Sequence, residues 1–188
     1  DQHESLAALE NVQLSSPSLF RFVRCDARGR ASQMNTGAAA ARGSILLFLH
    51  CDSRLPAGAM ELIEGKIRDG CQWGRFDVVL DAPGLVFRLI EKMINLRSRL
   101  RRLATGDQGI FISSGLFEQC QGYPEIELME DIAICRRLKA HSRPALITTP
   151  LVTSARRWQK RGAISTILLM WKLRLLYWLG VEPARLSQ

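Results

Sequence analysis

The sequence predicts a single α/β domain, and three features carry that prediction. Strand-like segments alternate with helix-like segments along the chain, as is typical of an α/β fold. One strand-like segment, residues 45–49, is continuously apolar and lies between Gly43 and a polar turn ending at Pro56, as expected for a strand buried on both faces of a sheet. The length of 188 residues is sufficient for one core and does not require a second domain.

The elements follow from apolar patterning and from glycine and proline breaks. The predicted strands are residues 19–23, 45–49, 73–80, 110–112 and 145–149. The predicted helices are residues 1–10, 31–42, 56–69, 85–103, 116–120, 128–140 and 163–181. The helix over 85–103 is amphipathic, with a basic face opposite an apolar stripe. That stripe consists of Val86, Leu89, Ile90, Met93, Leu100 and Leu103.

The basic residues indicate an anionic partner. The formal net charge is +8, and 21 of the 26 basic residues are arginine. Because the arginine fork binds phosphates and carboxylates bidentately, nucleotide phosphates, nucleic acid and anionic lipid headgroups all fit this composition. A GC-rich coding sequence would produce the same arginine excess, so that alternative stays open.

The cysteines and the first residues bear on the compartment. The five cysteines are odd in number and show no C-x-x-C spacing, which predicts reduced thiols in a cytoplasmic protein. The first residues do not resemble a signal peptide and do not include an initiator methionine. We therefore expect a processed or incompletely represented start.

Residues 163–181 are the most hydrophobic part of the chain and are nearly long enough to span a bilayer. Lys172 and Arg174 fall in their middle, where charges are costly in hydrocarbon. A helix lying in the headgroup plane of a membrane fits this pattern. Packing on its own domain or on a second subunit fits equally well.

Five polar clusters follow apolar segments or open helices. They are Arg30, Gln33 and Asn35; Asp52; Asp107; Glu130 and Asp131; and Arg156, Arg157 and Trp158. A helix start is a natural phosphate site, and ligands of open α/β sheets bind beyond the carboxyl ends of the strands. Taken singly, each cluster is more typical of a helix cap or a solvated face than of a binding site.

In this order, the clusters and their flanking residues resemble the family-2 glycosyltransferases with an A-type fold, and most closely the bacterial branch often assigned to arsenosugar biosynthesis. The similar segments are residues 29–38, 47–56, 73–77, 104–108, 128–131 and 156–158. The resemblance implies one domain over residues 1–188 with a central mixed, mostly parallel sheet and a C-terminal hydrophobic helix over 162–181. Residues 1–28 match poorly, as a remnant of the nucleotide-binding half whose N-terminal strand is missing.

The resemblance also implies residue roles. Asp131, with Glu130 beside it, would be the catalytic general base. The donor nucleotide sugar would be bound by Arg30, Gln33, Asn35, Asp52, Asp107, Arg156, Arg157 and Trp158. Asp52 would hold Mg²⁺ or Mn²⁺. His50, in the position where the family carries a first aspartate, would be a further metal contact in the case of Mn²⁺. Ser154 replaces the glutamine of the processive enzymes' motif, which argues against a polymerase.

The expected function is therefore metal-dependent, inverting transfer of a sugar from a nucleotide-diphosphate donor to a hydroxyl of a small-molecule or lipid acceptor. A second hypothesis is a catalytically degenerate binding or assembly module, which a true loss of the N-terminal strand would favour. Nucleic-acid binding through the arginine clusters lacks interleaved aromatic residues, so we expect no nucleic-acid partner. The expected location is cytoplasmic, with the inner membrane face as a site of peripheral contact.

Overall fold

The computed structural model describes residues 21–186 and shows a mixed α/β fold around a five-stranded sheet. The strands are β1 (Ile45–Phe48), β2 (Ser53–Arg54), β3 (Trp73–Leu80), β4 (Ile110–Ser113) and β5 (Ala145–Thr153). They lie side by side in the order β1–β4–β3–β5–β2. The predicted α/β class and mixed sheet are confirmed.

The helices surround this sheet and begin close to the predicted positions. They are α1 (Arg30–Ala40), α2 (Ala59–Arg68), α3 (Leu85–Arg101), α4 (Ser114–Gln119), α5 (Glu130–His141), α6 (Arg156–Arg161), α7 (Ala163–Trp178) and α8 (Pro183–Leu186), with a 3₁₀ turn at Gly106–Gln108. The predicted helix over 1–10 and the first part of the predicted strand over 19–23 lie outside the described residues, and residues 21–23 have no regular secondary structure. The sequence predicts no helix over residues 156–161, where the structure has α6.

Strand direction differs from the mostly parallel pairing that the resemblance implied. Only β3 and β5 pair in parallel among the described strands. The reason is that β4 lies between β1 and β3 and runs antiparallel to both, while the two-residue β2 meets β5 antiparallel. Within residues 21–186, β1 is an edge strand, so only its Leu46 is buried rather than both faces of the strand.

The sheet separates two apolar cores. One contains Phe76, Val78 and Leu151, and the other contains Trp73 and Ile112. At Gly74 three strands approach so closely that a Cβ atom would lie 2.4 Å from the Phe111 ring and 2.5 Å from the Ala145 carbonyl oxygen. A glycine is therefore required at this position, where one residue of β3 pairs with both β4 and β5.

Helix α3 packs on the sheet through a mixed face, on which the apolar Ile90 and Ile94 are buried beside the polar Glu91 and Ser98. Beyond Gly74, β4 no longer pairs with β3, and α3 side chains bond to the β3 backbone instead. The Asn95 amide donates to the Val78 carbonyl and accepts from the Val78 N–H, both at 3.0 Å, and Glu91 accepts from the Leu80 N–H at 2.7 Å. These contacts supply the partners that buried backbone groups require.

The apolar stripe predicted on α3 consequently faces outward for most of its length. Ile90 is buried, but Leu89 and Leu100 are 59% and 74% exposed. An amphipathic helix of a globular protein normally turns its apolar stripe inward. Here the hydrogen-bonding demand of the β3 edge fixes the opposite rotation. Helix α7 also exposes large apolar side chains, namely Leu168, Leu169, Trp171, Leu175 and Trp178.

Residues 73–77, one of the segments that carried the resemblance, are buried within the sheet. Arg75 forms an ion pair with Asp77, which also pairs with Arg99 of α3. This segment therefore joins β3 to α3.

Candidate active site

Residues from six separate parts of the chain line one cavity of about 630 Å³, here called the polar cavity. The predicted site residues in its wall are Arg30, His50, Asp52, Asp107, Asp131, Arg156, Arg157 and Trp158. The turn after β1, the 3₁₀ turn and the start of α5 supply the acidic side, and the segment after β5 supplies the basic side. The polar cavity brings together most of the residues that the sequence singled out.

Asp131 combines a position in the polar cavity with a raised pKa. Its carboxylate accepts hydrogen bonds from the Gly106 N–H at 3.1 Å and from the Ile132 N–H at 2.7 Å. Burial, together with the nearby charge of Glu130, raises the pKa of Asp131 to about 6, even though both N–H groups act in the opposite direction. At the start of a helix, where a carboxylate is normally favoured, desolvation is the larger effect here.

The residue before this pair has an unusual backbone. Met129, immediately before α5, has a φ of 69°, in the left-handed region that side-chain-bearing residues rarely adopt. Such a conformation costs on the order of 1–3 kcal/mol and is concentrated at functional sites. Sequence patterning does not predict this conformation, because methionine is not a residue that marks left-handed turns.

Glu130 lies behind the cavity wall rather than in it. It is 2% exposed and forms an ion pair with Arg30 at 2.6 Å. Its side chain lines a neighbouring space of about 710 Å³, the edge cavity, which borders β1 and also contains Gln33. The geometry thus gives Glu130 the task of positioning Arg30 and of raising the pKa of Asp131.

Asn35 does not face either cavity, in contrast to its predicted role in donor binding. Its amide donates to the Tyr123 carbonyl and accepts from the Tyr123 N–H, both at 2.8 Å. Both ends of the side chain are therefore occupied by backbone. Asn35 joins α1 to the turn after α4.

The basic wall belongs to α6, whose start is held by two hydrogen bonds. Asp81 accepts from the Ala155 N–H at 2.6 Å, and Ser154 Oγ accepts from the Arg156 N–H at 3.3 Å. Arg156 and Arg157 are exposed at the cavity, whereas the Trp158 side chain is buried. The buried Trp158 and the two hydrogen bonds thus hold α6 in place, with the guanidinium groups of Arg156 and Arg157 at the cavity.

Arg97 of α3 is a site residue that sequence patterning missed. The amphipathic pattern over residues 85–103 places it on the basic face of the helix. Burial lowers the pKa of Arg97, while the charges of Asp107 and Asp131 act to raise it. Arg97 therefore lies close enough to Asp107 and Asp131 to interact with their charges. Only the sheet-facing rotation of α3, which the sequence did not reveal, brings it there.

The predicted metal ligands are His50 and Asp52, both in the polar cavity. The His50 ring packs over Gly106, where a Cβ atom would lie 2.3 Å from His50 Nε2. Within residues 21–186, no three His, Cys, Asp or Glu side chains are grouped so as to hold a metal ion. The donor set therefore fits a hard divalent cation only if substrate oxygens complete the coordination, as is usual for Mg²⁺.

Neither the sequence models of known protein families nor the sequences of curated proteins match this chain. Among solved structures, the chain is similar to mannosyl-3-phosphoglycerate synthase from Rubrobacter xylanophilus, with a TM-score of 0.42 and 16% identity. The similarity covers 83% of this chain, which spans about half (53%) of that enzyme. A likeness this distant identifies neither a reaction nor a substrate. The arsenosugar branch stays a prediction.

Proposed function

We propose that this protein is a glycosyltransferase that moves a sugar from a nucleotide-diphosphate donor to an acceptor hydroxyl. The observation that carries the proposal is the placement of Asp131, with its pKa of about 6, in the same cavity as Arg156 and Arg157. A carboxylate with this pKa is a suitable general base near neutral pH. Guanidinium groups suit a diphosphate leaving group.

In the proposed reaction, Asp131 accepts the proton of the acceptor hydroxyl as its oxygen attacks the anomeric carbon. The bond between that carbon and the diphosphate breaks, and the arginines of α6 stabilise the negative charge on the departing oxygen. A single displacement with one base inverts the anomeric configuration. Arg30, held by Glu130, lines the same cavity and also binds the donor.

A divalent cation would be held by Asp52 together with the donor's own phosphate oxygens, with His50 as an additional contact for Mn²⁺. When bound, it would neutralise charge on the diphosphate.

Asp52→Ala is expected to lower kcat/KM for sugar transfer by about 10²-fold, through lost stabilisation of the diphosphate. Because Asp52 is exposed, the free energy of unfolding should stay within about 0.5 kcal/mol of wild type. Turnover with a panel of uridine- and guanosine-diphosphate sugars and Mn²⁺ measures the effect. Asp69→Ala, an exposed carboxylate at the end of α2, is the control. Wild-type turnover by Asp52→Ala would exclude the assigned role.

The second candidate is a degenerate glycosyltransferase-like binding or assembly module. It is favoured by the absence of a three-ligand metal group within residues 21–186 and by His50 in place of an acidic residue. Calorimetric titration with the same nucleotide sugars separates the two. Failure of the full chain to bind any of them would favour the module.

We also propose that the outer faces of α3 and α7 contact an anionic membrane surface. No helix within residues 21–186 is long and apolar enough to cross a membrane. The exposed apolar side chains of these helices are accompanied by exposed cations, among them Lys92, Arg101 and Lys172. Apolar and cationic groups together favour binding at the headgroup level.

Leu100→Glu and Leu168→Glu are expected to weaken sedimentation with anionic phosphatidylglycerol vesicles by about tenfold. Each change removes apolar area that the membrane would bury and adds a negative charge that the anionic lipid repels. Met60→Glu, a similarly exposed apolar position on α2, is the matched control and should bind as wild type. Light scattering after gel filtration addresses the alternative: if the Leu100 and Leu168 variants turn a dimer into a monomer, these faces join two subunits instead.

A further inference from the structure

A second cavity lies beside the polar cavity, between α3 and α7, and has a volume of about 660 Å³. This α3–α7 groove has mainly apolar walls, and its size is within the range of small-molecule sites. Its apolar walls include Ile90, Met93 and Ile94 from α3 and Ile167, Trp171 and Leu175 from α7. Of the residues assigned to the donor site and to the general base, only Trp158 lines this groove.

The groove is continuous with the polar cavity. Thr105, Ile132, Trp158, Met170 and Arg174 line both. Since Ile132 directly follows the proposed base in α5, the groove meets the polar cavity next to Asp131. A molecule that extends along the groove into the polar cavity therefore comes close to the proposed base.

Every charged residue that lines the groove is an arginine. These residues are Arg97, Arg101, Arg136 and Arg174. The guanidinium group of Arg136 lies 5.0 Å from the centre of the Tyr177 ring, which fixes it at the rim of the groove. Apolar walls with an exclusively cationic set of charges complement a molecule that has a hydrocarbon part and an anionic part.

From these observations we infer that the α3–α7 groove binds the hydrocarbon chain of an amphipathic acceptor whose anionic head group lies at Arg174, where the groove opens into the polar cavity. This inference rests on the proposed glycosyltransferase function and specifies its acceptor class. A polar sugar acceptor would leave the apolar walls unmatched. A second copy docking through the same face would bring its own groove arginines against these, which is repulsive across a two-fold axis.

The test uses the purified chain without nucleotide sugar and three soluble probes below their micelle concentrations. Dodecyl phosphate should bind at least about 100-fold more tightly than butyl phosphate, because each buried methylene adds about 0.8 kcal/mol. It should also bind about tenfold more tightly than dodecyltrimethylammonium, which has the opposite head-group charge. Isothermal titration measures all three. Equal affinities for dodecyl and butyl phosphate would overturn the inference.

Matched variants locate the binding site. Met93→Glu and Leu175→Glu place a carboxylate in the groove, at positions that are 37% and 57% exposed and therefore tolerant. They should weaken dodecyl phosphate binding by about tenfold or more. Leu100→Glu and Leu168→Glu make the same change on the same helices outside the groove and should leave it unchanged. Equal weakening in all four variants would overturn the groove as the site.

Two further outcomes separate this inference from the function on which it rests. If nucleotide-sugar turnover persists but dodecyl phosphate does not bind, only the acceptor class is wrong. If dodecyl phosphate binds while no nucleotide sugar is bound or turned over, the glycosyltransferase function fails, and the acceptor role fails with it. Conversion of a dimer into a monomer by Leu175→Glu would show that a second copy occupies the groove, which also overturns the inference.

Discussion

Asp131→Asn is expected to lower kcat for sugar transfer by a factor of about 10²–10⁴, the usual contribution of a positioned general base. The amide matches the carboxylate in size, and its oxygen keeps one of the two backbone hydrogen bonds, which Gly106 and Ile132 now donate to different oxygens of Asp131. It cannot accept the acceptor's proton. Turnover of a nucleotide sugar at saturating donor measures the loss, and Asp69→Asn, remote from the site, should retain wild-type activity.

The pH dependence of the wild-type enzyme follows from the same group. The pKa of Asp131 is about 6, so the fraction of ionised base falls as the pH decreases below that value. We expect kcat/KM to fall about tenfold per pH unit on this limb, since only the ionised carboxylate is a base. The residual activity of Asp131→Asn should lack this limb. A wild-type profile that is flat between pH 5 and pH 7 would argue against Asp131 as the base.

The same carboxyl group also makes the stability of the fold depend on pH, but in the opposite direction. Activity rises with pH on this limb, whereas the contribution of Asp131 to stability falls. Its folded-state pKa is raised from 3.8 to about 6, so the folded protein binds the proton more tightly than the unfolded chain does. The group therefore favours the fold most at low pH, and that contribution is lost as the pH rises through about 6. The raised pKa corresponds to a contribution of at most about 3 kcal/mol to the free energy of unfolding. Because the Asp131 side chain is partly exposed, we expect a value between about 1 and 3 kcal/mol.

Comparing wild type with Asp131→Asn isolates this contribution from the other titrating groups. The free energy of unfolding of wild type, relative to the variant, should decrease by about 1–3 kcal/mol between pH 4 and pH 7. Urea unfolding at several pH values measures it. A relative stability that increases with pH would mean that the folded-state pKa of Asp131 is lowered rather than raised.

Sequence patterning located much of the candidate site because the relevant signals are local. Asp52 follows an apolar run, and Asp131 opens a helix. An α/β fold brings such segment ends together. Patterning failed where a partner distant in sequence decides the outcome. The two hydrogen bonds of Asn35 to Tyr123 span 88 residues, and the approach of Arg97 to Asp131 depends on how α3 is rotated.

The rotation of α3 leads to the second large expected effect, on stability. Asn95→Leu should lower the free energy of unfolding by about 2–4 kcal/mol, since it leaves the N–H and the carbonyl of Val78 without their partner. Hydrophobicity alone predicts the reverse, because the change adds an apolar side chain to a helix. Urea unfolding monitored by circular dichroism measures the difference.

Leu100→Asn is the matched control because it makes the inverse change on the outward face of the same helix. Leu100 is 74% exposed, so its loss should change the free energy of unfolding by no more than about 0.5 kcal/mol. A larger loss for Leu100→Asn than for Asn95→Leu would mean that α3 packs through its apolar stripe. That result would also remove Met93 and Arg97 from their present positions, and with them the wall of the α3–α7 groove. The relative stability of Asn95→Leu and Leu100→Asn therefore tests the geometry on which the acceptor inference depends.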